Sequence, residues 1–375
     1  MRLNYKKLGD FISPHNYLNE GMEVTELLGI SNQKYFQKSH TNINGMDFST
    51  YRIVRTGQFA FNRATTRNGE KISIALRQGG DCIVSPSYRV FQVNDENELL
   101  SEYLLMWFKR PEFDRYARFK SHGSAHEFFE YDQMCEVELP IPSITKQREI
   151  VKEYNIILDR INLNNSLIQK LEETAQAVNK NWFVDFEFPN ADGKPYKSSA
   201  GEMIESELGI IPKGWRVGEL QELILFKNGK TRPTSIGKYP VYGGNGIVEY
   251  INEFNDENII AIGRVGAYCG SLYRVLGKCW ISDNAISAKS RNNFNMFAFY
   301  TLSSLNLNER SEGTGQPLIT QGLLNGIKII VPSNEIIHDF EKIAIALFEN
   351  HDLTIQELEK LEDLKNLLLS KLTTI

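Results

Sequence analysis

Residues that build disulfides and metal sites are scarce in this 375-residue sequence. Its six histidines are scattered, and its four cysteines lie far apart without a CxxC pair. This spacing disfavours a zinc site and predicts buried, reduced thiols in a cytosolic protein. The cysteines concerned are Cys82, Cys135, Cys269 and Cys279.

Long apolar runs are also missing, and the N-terminal segment MRLNYKKLGD lacks the apolar core of a signal peptide or a membrane span. We therefore expect a cytoplasmic protein with no membrane partner. The composition, with 41% apolar and 24% charged residues, is that of an ordinary globular protein, and the length predicts two or more domains.

The motifs of a nucleotide-dependent or methyl-transferring enzyme are absent from the sequence. Gly263, Gly266 and Gly270 in GRVGAYCG do not match GxGxxG, and no GxxxxGK[ST] phosphate loop exists. No DPPY-like or NPPF-like tetrapeptide appears, and Asp185 and Glu187 in FVDFEF lack a basic partner nearby. We therefore predict that this chain carries no catalytic residue, no metal and no cofactor of its own.

The net charge of −5 is unevenly distributed along the chain. Residues 1–120 contain 17 Lys and Arg against 13 Asp and Glu, residues 215–330 contain 12 against 9, and residues 335–375 contain 4 against 9. Mildly basic globular parts beside an acidic helix suit a protein that meets a polyanion with part of its surface. Chance explains imbalances of this size equally well.

Two segments of the chain share one pattern at a constant offset: SHGSAHEFFEYDQMCEVELPIPS (residues 121–143) and SEGTGQPLITQGLLNGIKIIVPS (residues 311–333). Identical residues are few, but turn residues, a β-like apolar run, a Pro-Ser pair and the phase of the following helix recur together. Ser143 and Ser333 are interpreted as helix N-caps. We therefore predict a pseudo-two-fold internal repeat.

Each copy continues into a long helical pattern whose apolar residues recur in alternating steps of three and four. Such a 3.5-residue period over more than four heptads is typical of a coiled coil, and a buried helix is the weaker alternative. We predict that the two helices pair antiparallel. The seam residues are Tyr154, Ile157, Ile161, Asn164, Ile168, Leu171, Ala175, Val178 and Trp182, and then Phe340, Ala344, Leu347, His351, Thr354, Leu358, Leu361, Lys365, Leu368 and Leu372.

Polar residues interrupt both seams near their middle. Antiparallel pairing would bring Asn164 close to His351 and Thr354, and a polar contact there would fix the register at a cost in stability. The alternative is an exposed stretch where the helices part. Lys365 also interrupts the second seam, and Leu364 is the candidate to replace it there.

The predicted fold class is α+β, with two globular mixed α/β domains separated by two long helices that pack as an antiparallel coiled coil. The globular domains are expected to differ from each other, although Arg63 and Arg264 fall near the same place. The predicted boundaries are residues 1–142 for the first domain, 143–189 for the central helix, 190–214 for a linker, 215–332 for the second domain and 333–375 for the C-terminal helix.

Several features together resemble the specificity subunit of a type I restriction-modification system. They are the segments LEETAQAVNKNWFVDF, LGIIPKGW and KYPVYGGNGIVEY, and a half-repeat that covers nearly the whole chain. The opening MRLNYKKLGDF departs from the family by lacking the PxGW element that precedes the second globular domain.

The resemblance implies a non-catalytic subunit whose two globular parts are target recognition domains. Each would contact one half of a split, asymmetric sequence in double-stranded DNA, and the coiled coil would space them. It also implies two modification subunits, which bind S-adenosylmethionine and methylate adenine, and optionally two restriction subunits that use ATP and Mg.

Candidate DNA-contacting residues lie in polar loops, because Arg, Asn and Gln recognise base edges and Lys contacts phosphates. For each loop, an ordinary solvated hairpin is the alternative. The candidates in the first domain are Lys34, Asn62, Arg63, Thr65, Thr66, Arg67, Asn68, Ser124 and His126. Those in the second domain are Lys230, Thr231, Arg232, Tyr242, Asn245, Arg264, Tyr268, Thr314 and Gln316.

The aromatic residues Trp182, Phe183 and Phe186 at the end of the first helix form a candidate surface for a modification subunit. Packing against the neighbouring globular domain is the alternative.

The helix between the two domains is long enough to space two DNA contacts. The 33 residues from Ile150 to Trp182 span about 50 Å as a helix, and half-sites one turn apart need about 34 Å. We therefore expect a two-part DNA target with a fixed gap. The competing hypothesis is a coiled-coil scaffold that carries two protein-binding or glycan-binding globules and does not bind DNA.

Overall fold

The computed structural model describes residues 5–39, 45–64, 71–121, 127–312 and 317–374. The chain forms two compact units: unit 1 contains residues 1–165 and 356–375, and unit 2 contains residues 166–355. Each unit therefore takes one part of each of the two long helices. The α+β class is confirmed. No helix in the described ranges combines the length and apolar character that a membrane span requires.

Unit 1 consists of short strands and short helices that precede the first long helix. Its strands are β1 (Tyr5–Lys7), β2 (Ile12–His15), β3 (Leu28–Ile30), β4 (Phe36–Lys38), β5 (Arg52–Val54), β6 (Phe59–Asn62), β7 (Ile74–Leu76), β8 (Cys82–Val84), β9 (Tyr88–Val93) and β10 (Glu138–Pro140). Its helices are α1 (Ser101–Phe108), α2 (Pro111–Lys120), α3 (Tyr131–Cys135) and α4 (Ile144–Phe183), the last of which continues into unit 2.

The main sheet of unit 1 pairs β2, β9, β6 and β7 in that order, and every pair is antiparallel. The alternation in the β6 sequence FAFN sends Phe59 and Phe61 into one core and Ala60 into another on the opposite face. Phe59 stacks on Phe91 of β9 with ring centres 5.0 Å apart, and Phe108 of α1 covers both rings. These buried aromatic side chains supply much of the apolar area that stabilises the unit.

Unit 2 contains the remaining elements. Its strands are β11 (Met203–Ser206), β12 (Gly209–Pro212), β13 (Arg216–Glu219), β14 (Ile224–Asn228), β15 (Tyr239–Gly243), β16 (Gly246–Ile251), β17 (Asp256–Gly263), β18 (Leu272–Ile281), β19 (Ala285–Ser290) and β20 (Lys328–Val331). Its helices are α5 (Asn295–Ser304), α6 (Gln321–Asn325) and α7 (Asn334–Lys371), the last of which continues into unit 1.

The main sheets of the two units share a common core, which corrects the expectation that the globular domains differ throughout. Unit 2 has the order β14-β19-β17-β18-β15-β16, and its first four strands correspond to β2-β9-β6-β7 of unit 1. All three neighbouring pairs within each set of four are antiparallel. The hairpin β15-β16 is an addition in unit 2. Sequence comparison missed this correspondence because apolar residues exchange freely on a buried sheet.

The predicted internal repeat is confirmed by the elements before the long helices. The short helices α3 and α6 begin at Tyr131 and Gln321, and the long helices α4 and α7 begin at Ile144 and Asn334, which is the offset between the two sequence segments. In unit 1 the strand β10 pairs antiparallel with β1, and in unit 2 the strand β20 pairs antiparallel with β13. The pattern of turn, strand and helix start therefore marks a structural repeat.

The long helices pack against each other antiparallel within each unit. In unit 1, Arg160 of α4 makes a two-pronged ion pair with Glu357 of α7, with N–O distances of 2.8 and 3.0 Å. In unit 2, Glu172 of α4 contacts His351, and nearer the end of α4 Trp182 packs on Phe340, with ring centres 6.1 Å apart. The residue numbers of the contacting residues on α7 thus decrease as those on α4 increase, as antiparallel pairing requires. Predicted seam residues that are buried include Tyr154, Ile157, Ile161, Ala175, Ala344 and Leu372.

The polar seam residues have different partners in the structure. Asn164 is 1% exposed in unit 1, whereas in unit 2 the Thr354 hydroxyl donates to the Asn350 carbonyl of its own helix at 2.7 Å. His351 lies between Glu172 and Asp352, at 3.2 and 3.1 Å. Their role in fixing the register stays a prediction.

The proposed replacement of Lys365 by Leu364 in the seam is wrong. Leu364 is 47% exposed, and the Lys365 side chain lies inward and pairs with Glu362. Leu369 is buried one position after the predicted Leu368, so the seam shifts slightly around α7 there.

The segment expected to be a linker, residues 190–214, contains the hairpin β11-β12 and packs on the core of unit 2. Tyr196 stacks on Phe188, which in turn stacks on Trp215. This arrangement explains why so many aromatic residues surround a stretch rich in Gly, Pro and Ser.

The assignment of Trp182, Phe183 and Phe186 to a partner surface is wrong as well. Trp182 and Phe186 are 8% and 9% exposed, and Phe183 packs on Phe297 and Phe340 with ring centres 4.9 and 5.0 Å apart. The alternative, packing against the neighbouring globular domain, is the observed arrangement.

Candidate nucleic-acid interface

Three arginine side chains of unit 1 meet where β5, β6 and β9 approach one another. Arg63 follows β6, Arg52 begins β5 and Arg89 lies in β9. Arg63 and Arg89 contact one carboxylate, Glu130, with N–O distances of 2.7 and 3.4 Å. Burial, reinforced by the charges of Arg89 and Arg63, lowers the pKa of Arg52. The cluster therefore concentrates more positive than negative charge in one place.

The local backbone holds Arg63 in a defined position. The Asn62 side chain accepts from the Ala64 N–H at 3.1 Å, and the Arg63 carbonyl accepts from the Phe129 N–H at 2.8 Å. The Arg63 guanidinium also lies over the Phe128 ring, 4.7 Å from its centre. This pre-organised, partly exposed guanidinium is suited to a planar, hydrogen-bonding ligand such as a base edge or a phosphate.

Sequence reasoning missed Arg52 and Arg89. Both line a cleft of about 550 Å³ together with Asn16 and Tyr131, and Asn16 accepts from Arg52 at 2.7 Å. A signal was present, because each arginine stands in an otherwise apolar strand segment, YRIV or YRVF. A charged residue inside a strand either pairs locally or faces a ligand.

Several of the predicted loops in unit 2 meet around the turn at residues 282–284. The Lys230 N–H donates to the Ile281 carbonyl at 2.9 Å, and the Arg264 N–H donates to the Asn284 carbonyl at 3.0 Å. Gly229 and Gly263 make this approach possible: a Cβ on Gly229 would come within 1.8 Å of the Ser282 carbonyl oxygen. Any larger residue there would push the loops apart.

The predicted residues of unit 2 differ in how far they are available to a ligand. Lys230, Thr231, Asn245 and Tyr268 are exposed, and Arg264 is half-buried. Arg232 is paired with Glu249 at 3.0 Å, and Tyr242 is half-buried beside Tyr273. Burial raises the pKa of the Tyr242 hydroxyl.

Arg63 and Arg264 occupy equivalent positions in the two units. Each directly follows the matching sheet strand, β6 or β17, and each carbonyl accepts from the residue that precedes the N-cap of a short helix. The donors are Phe129 and Ile319, at 2.8 and 2.9 Å. These two donors are related by the same offset as the two sequence segments of the repeat. Among the described residues no ion-pair partner is found for Arg264.

The prediction that Lys34 contacts DNA does not fit its surroundings. Lys34 is 5% exposed, and its ammonium group donates to Asp114 at 2.5 Å and to the Ile72 carbonyl at 3.2 Å. Burial lowers its pKa, and Asp114 opposes that shift. Lys34 is therefore a structural residue that ties the turn after β3 to α2. The predicted residues Thr65, Thr66, Arg67, Asn68, Ser124, His126, Thr314 and Gln316 lie outside the described residues.

Replacing Asp114 with alanine is expected to destabilise unit 1 by about 3–5 kcal/mol, because the buried Lys34 ammonium would lose its counter-charge. Urea unfolding of the variant measures this change. Glu136→Ala is the matched control in the same unit, since the Glu136 carboxylate and its partner Lys7 are both exposed. Equal stability of the two variants would contradict the structural role of Lys34.

The architecture is that of an internal repeat. Each of the two units combines a related strand-rich globular part with a pair of antiparallel helix segments, and each globular part has an arginine at the equivalent position. A family model described as the type I restriction modification DNA specificity domain matches the chain twice, at residues 17–173 and 212–366. These matches cover most of the chain, so the protein belongs to the specificity subunits of type I restriction-modification systems. Members of this family are non-catalytic recognition subunits.

Named relatives agree with this assignment. The chain is 22% identical over 423 residues to the HindI specificity subunit of Haemophilus influenzae, which covers 92% of this chain and 91% of that subunit. It is 25% identical over 296 residues to the MjaIX specificity subunit of Methanocaldococcus jannaschii, covering 71% and 67%. The chain is also 36% identical over 99 residues to the EcoprrI specificity subunit of Escherichia coli, and this match covers 26% of this chain and 25% of that subunit.

Solved structures share the fold at low sequence identity. The crystal structure of a type I S subunit from M. genitalium has a TM-score of 0.65 at 17% identity and covers 99% of this chain and 96% of that chain. A chain from a structural study of assembly and conformational transition in a type I system has a TM-score of 0.51 at 17% identity, covering 100% and 99%.

Proposed function

We propose that this subunit directs a type I complex to a bipartite, asymmetric DNA sequence, with unit 1 contacting one half and unit 2 the other. The observation that carries the proposal is the equivalence of Arg63 and Arg264, which follow matching strands of the shared sheet core in two units that differ elsewhere. Arginine is the residue that most often recognises guanine in the major groove. Two different heads with one common arginine position suit two different half-sequences.

Within each unit the surrounding residues divide into two roles. Arg63, Arg264 and Asn245 would contact base edges, since their side chains donate or accept in a plane. Lys230 and Lys38, which lies exposed at the end of β4, would contact phosphates, which position the protein without recognising sequence. Arg52 and Arg89 join the first group because they lie beside Arg63, and Arg89 shares its counter-ion.

The long helices would set the gap between the two half-sequences. Helix α4 contains 40 residues, or about 60 Å at 1.5 Å per residue, which exceeds the roughly 34 Å of one DNA turn. The ion pair Arg160–Glu357 and the contact His351–Glu172 would hold the two helices in register within their units. If the two helices keep one register, the gap between the two half-sequences would have one fixed length.

Chemistry would come from partner subunits. Two modification subunits would bind S-adenosylmethionine and methylate adenine, and two restriction subunits, where present, would use ATP and Mg. These complexes act on genomic DNA and hence in the cytoplasm. Because this chain is acidic overall, with a net charge of −5, it would bind DNA weakly until the modification subunits join it.

Methylation mapping of genomic DNA from cells with the modification subunits, with and without this chain, tests the proposal. A split adenine-methylated sequence is expected only when the chain is present. Gel shifts of the assembled complex across a salt series should show a steep loss of affinity as salt rises. The scaffold hypothesis predicts neither result.

A further inference from the structure

The N-cap residue of the short helix beside each equivalent arginine differs between the units. Glu130 is the N-cap of α3 and forms a capping box with Gln133, whereas Thr320 is the N-cap of α6 and its hydroxyl accepts from the Leu323 N–H at 3.1 Å. Glu130 and Thr320 occupy corresponding positions in the two sequence segments of the repeat. One structural position thus carries a charged cap in unit 1 and a neutral cap in unit 2.

This exchange changes the charge next to the arginines. In unit 1 the Glu130 carboxylate contacts Arg63 with one oxygen and Arg89 with the other. In unit 2 the neutral Thr320 leaves Arg264 without a carboxylate, as far as the described residues show. The side chains of Glu130 and Arg63 are 36% and 33% exposed, so water and a competing anion both have access to the pair.

We infer that Glu130 is a specificity-determining residue that DNA must displace before Arg63 and Arg89 engage a base edge or a phosphate. The inference rests on the proposed function and deepens it. Partly exposed ion pairs are weak, so correct DNA can displace the carboxylate. DNA that offers no acceptor at that position makes no contact with the arginines that would replace their ion pairs with Glu130. The Glu130 carboxylate then stays near the DNA backbone, and the phosphates repel it. Unit 1 would therefore reject wrong sequences more strongly than unit 2, and unit 2 would bind DNA with a larger non-specific share.

Reciprocal substitutions in the assembled complex with modification subunits test this inference. Glu130→Gln keeps an oxygen that can cap α3 and removes the charge. We expect it to tighten binding to duplex DNA by about 3- to 10-fold at low salt, and to steepen the dependence of log K on log salt by up to about 0.9 for each released arginine. Thr320→Glu should have the opposite effects, because it creates in unit 2 the charge that unit 1 carries.

The controls match the charge changes. Glu136→Gln removes the same charge from the far end of the same short helix, where the carboxylate pairs with Lys7 at 2.9 Å, and Ser303→Glu adds a charge on the exposed surface of α5. Methylation mapping adds a measurement that a change in stability alone would not affect. In Glu130→Gln, sequence discrimination should weaken only in the half-sequence that depends on Arg63. Glu130→Thr copies the cap of unit 2 and serves as a second variant, and thermal unfolding checks that each variant folds.

The outcomes separate this inference from the proposed function. If the wild-type complex binds DNA without sequence preference, the proposed function is wrong. If the wild-type complex methylates a split sequence while Glu130→Gln matches Glu136→Gln in affinity, salt dependence and target, only the role of Glu130 is overturned. Weaker binding by Glu130→Gln would also overturn it, since Glu130 would then support the DNA contact.

Discussion

Replacing Arg63 with alanine is expected to abolish discrimination at one position of one half-sequence and to weaken target binding by about 1–3 kcal/mol, the worth of a bidentate arginine contact to guanine. Arg264→Ala should do the same at the other half. The effects should add in the double variant, because the two arginines lie in separate units with no shared partner among the described residues. Equilibrium binding and methylation mapping of the complex measure both changes.

Arg115→Ala and Arg216→Ala are the matched controls for this pair of variants. Both arginines are exposed, and they pair with Glu112 and Glu222, which are not residues of the candidate interface. If Arg63→Ala and Arg264→Ala relaxed the same half-sequence, or behaved as their controls do, the equivalence of the two arginines would have no bearing on recognition.

Inserting one heptad in each long helix, after Asn165 in α4 and after Ile355 in α7, is expected to leave both half-sequences unchanged and to lengthen the gap between them. Seven residues add about 10 Å to a helix, which corresponds to about three base pairs at about 3.4 Å each. A whole heptad keeps the apolar seam in phase. Methylation mapping shows the new gap directly.

The matched control is the same insertion in α4 alone. It puts one pair of contacts, Arg160–Glu357 or His351–Glu172, out of register, so we expect loss of methylation and lower thermal stability. A paired insertion that yields a stable complex with the original gap would show that the helices do not set the spacing.

The frame of the protein could be predicted from the sequence, because its signals are local and periodic. The constant offset between the two segments located the starts of both long helices, and the three-four spacing identified inward residues such as Tyr154 and Ala344. The shared sheet core could not be found in this way. Buried strands tolerate any apolar residue of suitable size, so β6 and β17 retain their order and pairing without a recognisable common sequence.

The candidate site was predictable only in part, because residue type does not reveal burial or pairing. Arg63 and Arg264 could be proposed from the sequence because they are arginines in polar loops, and the structure places each of them directly after a sheet strand. Lys34 was misassigned because its partner Asp114 is 80 residues away in sequence. From the sequence alone, Lys34 is a loop lysine like any that contacts a phosphate. Ion pairs between distant residues leave no local trace.

The aromatic residues near Trp182 were misassigned for a related reason. A cluster of large apolar side chains at a helix end has the same sequence signature whether it faces a partner or a core. In this chain the cluster closes the core of unit 2 against Trp215, Phe297 and Phe340.

Unit 2 is one uninterrupted stretch of chain, whereas unit 1 needs Leu369 and Leu372 from the far end of α7 to complete the core that contains Leu8 and Tyr154. During synthesis, unit 1 therefore cannot complete its core until Leu369 and Leu372 have left the ribosome. All residues of unit 2 leave the ribosome before them. Domains usually fold in the order of their synthesis. We expect the reverse order in this chain, so that a chain truncated before Leu369 would contain all of unit 2 and an incomplete unit 1.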